Sequence, residues 1–246
     1  MTAGVALWKV WNRKTDVLPV LLAGHSLGEY TAMVCAGALT FSEAVQLVAD
    51  RGQYMQAAVP AGSGSMAAIL GLENDQVEAL CETSAQGQIV AAANYNSTGQ
   101  IVIAGHTEAV ERTVNAAKAA GAKRSVILPV SVPSHCELMR VAADQLATRL
   151  QKIELTLPDI PIIHNVDASV RNDIESITSL LVKQLYSPVR WVETIQYMSN
   201  QGITHIVECG PGKVLSGLIK RIDRNIQTLP VSEPDLLEKA ITEIGN

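Results

Sequence analysis

Apolar positions along the chain recur at two different periods, and stretches of each period alternate. Residues 2–11 carry Val5, Leu7, Trp8 and Trp11 on one helical face and predict a helix. The short apolar run 17–22 predicts a strand, a glycine-bracketed turn follows, and 30–38 predicts a helix. Thr40-Phe41-Ser42-Glu43 has capping-box spacing and opens a further helix through about residue 57. After the Pro/Gly/Ser-rich stretch 60–64 the rhythm changes. Strand patterns at 65–70, 88–93, 100–104 and 124–128 alternate with helical patterns at 74–84 and 107–120, and residues 94–99 read as a turn-rich connection. This βαββαβ order is the ferredoxin-like signature, so 62–129 reads as a small domain inserted into a larger one formed by 1–61 and 130–246. Beyond it, helices are predicted at 134–152, 174–185, 190–201 and 212–222, with short strands at 161–165 and 205–208. That alternation predicts an α/β fold with a parallel sheet in the large domain.

Composition narrows the function. Of 246 residues, 48% are apolar and 17% charged, which excludes a disordered chain. A net charge of −5 argues against nucleic acid as a partner, and one Phe, three Trp and five Tyr supply few stacking platforms. No apolar run reaches the roughly 18 residues of a membrane span, and residues 1–14 lack the charged, apolar, small-residue order of a signal peptide. Cys35, Cys81, Cys136 and Cys209 show no CxxC spacing, so neither a cysteine-rich metal site nor a disulfide framework is expected, and a cytoplasmic location is.

The strongest chemical signal is Gly24-His25-Ser26-Leu27-Gly28, a G-x-S-x-G pattern between a strand and a helix. There a serine hydroxyl projects from the sheet, while the next backbone N–H and the helix dipole face a developing oxyanion. Alone the pattern is also compatible with a simple glycine turn. A serine nucleophile needs a base. Of five histidines, His25 adjoins Ser26 but points away at a sharp turn. His106 and His205 start a helix and a strand, where capping or surface roles suffice, and His164 ends a short strand. His135 lies in a loop entering a helix just after the small domain, where parallel sheets carry their chemistry. Position favours His135, with an ordinary helix-start histidine as the alternative. Arg51 is either paired with an acid such as Asp50 or a bidentate fork for a carboxylate, and spacing leaves both readings open. Glu208-Cys209-Gly210-Pro211-Gly212-Lys213 lacks phosphate-loop spacing and reads as a tight turn. No acid between Ser26 and His135 stands out as a third triad member.

Together, GHSLGEYTA at 24–32, VADRGQYMQ at 48–56, GSMAAILGL at 64–72, NYNSTGQIVIAG at 94–105, PVSVPSHCELM at 129–139, QLYSPVRW at 184–191 and VECGPGKVLSGLIKRI at 207–222 resemble the malonyl-CoA:acyl carrier protein transacylase family of fatty-acid synthesis. The resemblance runs through essentially the whole chain and implies a hydrolase-like α/β domain with a ferredoxin-like insertion. It implies Ser26 as acylated nucleophile, His135 as base and then acid, the backbone carbonyl of Gln184 orienting that histidine, Arg51 on the malonyl carboxylate, and the Leu27 N–H as one oxyanion donor. Malonyl-CoA and an acyl carrier protein would be the partners of a monomer. CoA and phosphopantetheine would be substrates, with no resident cofactor or metal. The carrier protein is typically acidic, so Lys220, Arg221 and Arg224 form a candidate docking patch, or merely a solvated helix end. Family members normally begin with a strand and a GQGSQ-type loop that supplies the second oxyanion donor. Neither is found here, so an N-terminally incomplete large domain is expected. A polyketide-synthesis malonyl acyltransferase and an inactive remnant acting only as a binding protein are the competing readings. A thioesterase is disfavoured by Arg51 and the inserted domain.

Overall fold

The computed structural model describes residues 1–245. Helix α1 (Thr2–Lys14) leads to β1 (Leu22–Ala23), α2 (Leu27–Cys35) and α3 (Phe41–Ala58). Thr40 caps α3 by accepting a hydrogen bond from the Glu43 N–H. The next segment forms β2 (Gly64–Leu70), α4 (Asn74–Ala85), β3 (Val90–Ser97), β4 (Gln100–His106), α5 (Thr107–Ala119) and β5 (Arg124–Ile127). Its four strands make one antiparallel sheet in the order β3-β4-β2-β5. Ile69, Ile101 and Ile103 from the sheet pack with Val77, Val110 and Val114 from α4 and α5 in one buried cluster.

The chain then returns through α6 (Arg140–Leu150), β6 (Ile162–Ile163), α7 (Ile174–Lys183), α8 (Trp191–Asn200), β7 (His205–Glu208), α9 (Val214–Ile222), β8 (Gln227–Pro230) and α10 (Pro234–Gly245). Tyr30, Met33, Leu47, Met139, Leu146 and Leu181 form the core beneath α2, α3, α6 and α7. Val189 ties the antiparallel sheet to the returning chain. Its N–H donates to Ala93 O and its carbonyl accepts from the Tyr95 N–H, which docks the β3 edge onto the segment before α8.

Several elements depart from the sequence expectation. The parallel strands form two separate pairs, β1 with β6 and β7 with β8. Of the 17–22 run only Leu22 pairs, together with Ala23 just beyond it, and Leu18 and Val20 stay 62% and 67% exposed. Pro19 has no N–H to give a ladder, and this stretch borders an apolar groove of about 770 Å³ lined also by Trp8, Ile206 and Val207. The helix expected from residue 134 starts with a 3₁₀ turn at Glu137–Met139 and becomes α-helical at Arg140. Pro133 and the left-handed His135, φ 64°, hold the preceding residues out of helical geometry. The 94–99 connection is mostly strand: β3 runs to Ser97 through register shifts, leaving Thr98-Gly99 as the turn. β8 and α10 have no counterpart in the sequence reading, since a four-residue strand ending in proline and a short terminal helix carry little pattern.

Candidate active site

The turn between β1 and α2 is tight enough to need its glycine. A Cβ on Gly24 would stand 2.0 Å from both the carbonyl carbon and the oxygen of Gly28. Ser26 at its apex has φ 53° and ψ −109°, a backbone state that costs a non-glycine residue about 1–3 kcal/mol and persists only when its surroundings enforce it. Asn165, fully buried just past β6, supplies that enforcement. Its Oδ1 accepts from the Ser26 N–H at 2.7 Å, and its Nδ2 donates to the Gly24 carbonyl at 2.7 Å.

His135 meets the serine from the other side. Its N–H donates to Leu185 O at 2.9 Å, and its Nδ1 lies 2.7 Å from the Gln184 carbonyl. A carbonyl only accepts, so Nδ1 carries the proton and Nε2 presents a lone pair to Ser26 Oγ, 2.8 Å away. Burial first, and the Arg51 charge second, push the imidazole pKa down to about 3. The ring is therefore neutral at ordinary pH, with the Nε2 lone pair directed at the serine. Ser26 and His135 are two of the four non-glycine residues with positive φ among those described.

Arg51 projects from α3 into the same site and is 6% exposed. Its Nη2 reaches Ser26 Oγ at 3.3 Å and Gln184 Oε1 at 3.2 Å, and the guanidinium lies over the Tyr30 ring at 5.5 Å. Its Nε is buried without a partner. Asp50 does not use it, being 2.7 Å from Arg149 instead. Such an arginine lacks an acidic partner, reaches the nucleophile through Nη2 and keeps its Nε unpaired, an arrangement suited to a carboxylate. Leu27, 39% exposed, opens α2, and its N–H belongs to the helix's unpaired first-turn donors. The Gln184 side chain is buried between Arg51 and Glu29, donating from Nε2 to Glu29 Oε2 at 2.7 Å.

The other histidines stand apart from the dyad. His25 points its Nε2 at Asn96 Oδ1, 2.8 Å away on β3, and packs against Trp191. His164 Nδ1 sits 2.7 Å from the buried Glu29 carboxylate. His106 Nδ1 accepts from the Ile89 N–H, and exposed His205 contacts Thr204. The Glu208 carboxylate accepts from the N–H groups of Leu215 and Ser216, so the start of α9 is filled by the protein's own anion. Lys220 and Arg224 line an open cleft of about 710 Å³ with Lys239, whereas Arg221 donates to Gln100 on β4. Asn165, Glu29 and Asn96 were missed by sequence reasoning. Glu29 was hidden by its position, since Ser26-x-x-Glu29 has ordinary capping-box spacing. Asn165 carries no local signal at all.

The chain has relatives known in sequence and in structure. Residues 1–233 match the family model described as acyl transferase domain. The chain is 52% identical to the malonyl CoA-acyl carrier protein transacylase of Salmonella typhimurium, over 99% of this chain and 79% of that protein. It is 44% identical to the one of Bacillus subtilis, over 98% and 76%. Among solved structures, the malonyl CoA-acyl carrier protein transacylase from Coxiella burnetii superposes with a TM-score of 0.98 at 53% identity, covering all of this chain and 78% of that one. A complex of a type II PKS acyl-carrier protein with its malonyl-transacylase gives a TM-score of 0.97 at 50% identity, covering 98% and 78%.

Proposed function

The chain belongs to the acyl transferase domain family, and from that premise we propose that it moves a malonyl group from malonyl-CoA to the phosphopantetheine thiol of an acyl carrier protein through a malonyl-serine. The carrying observation is the convergence of Ser26 Oγ, a neutral His135 and the Arg51 guanidinium, which has no acidic partner and an unpaired Nε. Ser26 attacks the thioester carbonyl while His135 Nε2 takes its proton. The Gln184 carbonyl holds the ring and stabilises the imidazolium, in the place a triad carboxylate fills elsewhere. The Leu27 N–H faces the tetrahedral oxyanion. CoA leaves as the thiol, carrying the proton from His135, and the carrier thiol then attacks the malonyl ester while His135 runs the proton transfers in reverse. CoA and phosphopantetheine are thus substrates, and no resident cofactor takes part.

Arg51 selects the acyl group. The malonate carboxylate fits its free Nε and an adjacent Nη, whereas an acetyl group leaves the buried charge unpaired at a cost of about 2–5 kcal/mol. Four free cysteines suit a reducing cytoplasm, and no helix among the described residues is long and apolar enough to cross a membrane. The similarity to a polyketide-type complex gives the carrier a second identity, and turnover with fatty-acid and polyketide carriers side by side separates the two.

The test is incubation with malonyl-CoA followed by intact-protein mass spectrometry. One malonyl adduct forms on the wild-type chain and none on Ser26→Ala. Folded wild-type protein that gains no adduct refutes the proposal.

A further inference from the structure

Glu29 is a buried carboxylate that the mechanism does not use. Three residues after Ser26, it stands where a capping-box glutamate turns back to the backbone N–H of its N-cap residue. Here that exchange does not occur. The Ser26 hydroxyl goes to His135, the Ser26 N–H goes to Asn165, and Glu29 turns inward. It is fully buried, and its oxygens collect three donors: His164 Nδ1 at 2.7 Å on Oε1, and the Asn165 N–H at 3.1 Å and Gln184 Nε2 at 2.7 Å on Oε2. A carboxylate withdrawn from water in this way is tolerated only with such partners, so its place under the nucleophile is tightly specified.

Because an ionised carboxylate can only accept, Gln184 must turn its Nε2 toward Glu29. The same Nε2 also lies 3.1 Å from the Ser26 carbonyl, a second acceptor pulling it the same way. Oε1 is left facing Arg51 Nη2 at 3.2 Å. Were the amide reversed, an NH₂ group would confront the guanidinium with two donors and no acceptor between them.

We propose that Glu29 is a positioning residue for substrate selection: by fixing the Gln184 amide it holds Arg51 in the pose that prefers an acyl group ending in a carboxylate. The inference rests on the reading of Arg51 as the carboxylate clamp. Glu29 does not touch the substrate, and its influence passes through one side chain.

The experiment measures Ser26 acylation by malonyl-CoA and by acetyl-CoA on the same samples and takes their rate ratio, which is independent of the folded fraction. Glu29→Gln makes a Gln–Gln pair that hydrogen-bonds in either amide orientation, so Arg51 loses its acceptor in part of the molecules. The malonyl-over-acetyl ratio then falls about three- to tenfold. Gln184→Met retains the backbone carbonyl that holds His135 and lowers the ratio at least as far. Adding Glu29→Gln to Gln184→Met changes the ratio no further, the signature of action through Gln184. A ratio within twofold of wild type in folded Glu29→Gln, or a further independent drop in the double variant, overturns the proposal. If Glu29→Gln does not fold, an unchanged ratio in Gln184→Met overturns it instead. Arg51→Ala separates the two levels. An unchanged ratio there removes the clamp itself, whereas loss of preference in Arg51→Ala with none in Glu29→Gln removes only the role of Glu29.

Discussion

Lowering the pH tests whether burial keeps His135 ready as a base. A histidine of ordinary pKa, 6.5, is only about 3% neutral at pH 5, which would slow a base-dependent acylation about 30-fold. With its pKa pushed down to about 3 by burial and by the Arg51 charge, the His135 ring stays about 99% neutral there. Rapid-quench mass spectrometry of Ser26 malonylation between pH 4.5 and 8 should therefore show little loss from titration of this residue. Replacing Arg51 by Ala removes the second cause and leaves the first, so residual acylation should acquire a midpoint that is raised but still below 6.5. The same shift is a stability statement. The unfolded chain binds the His135 proton below pH 6.5 while the folded chain does not, so this contribution is complete above 6.5 and is lost as the pH falls toward about 3. At pH 5 the loss is about 2 kcal/mol, and denaturant titrations of wild type and His135→Gln should converge by that amount. A rate that falls tenfold per pH unit below 6.5, with no such convergence, would refute the assignment of burial as the dominant cause.

Two further outcomes follow from the turn that carries Ser26. Gly24→Ala places a methyl 2.0 Å from backbone atoms of Gly28, so the turn must shift and acylation should fall by more than about 100-fold, and a variant acylated at the wild-type rate would contradict the packing. Asn165→Ala frees the Ser26 N–H and the Gly24 carbonyl together, so acylation by malonyl-CoA and acetyl-CoA should slow in parallel by about 10- to 100-fold, whereas a selective loss of malonyl transfer alone would show that Asn165 acts on the clamp instead.

What the sequence determined by itself was local. Helical periodicity, the Thr40 cap, the ferredoxin-like order of strands and helices, and the G-x-S-x-G turn each depend on neighbours a few residues away, and each has its counterpart in the structure. The resemblance carried by the longer motifs pointed to Ser26, His135, Arg51 and Gln184 as one group, and the structure brings those four side chains or carbonyls within hydrogen-bonding reach. The tertiary structure alone decided the rest. The choice of Arg51 over an Asp50 pair depended on Arg149, ninety-eight positions beyond Arg51, capturing Asp50. The diversion of Glu29 from a helix cap to an internal anchor depended on His164, Asn165 and Gln184 arriving from β6 and the end of α7. The 17–22 run could not be resolved into paired and unpaired halves from its own residues. A strand's hydrogen bonds go to a partner elsewhere in the chain, and β6 meets only its last residue, Leu22, and the Ala23 that follows. Periodicity records which face a segment buries. Which groups meet across that face is set by long-range packing, and both the hydrogen-bond partners of Glu29 and the depressed pKa of His135 belong to that second kind of information.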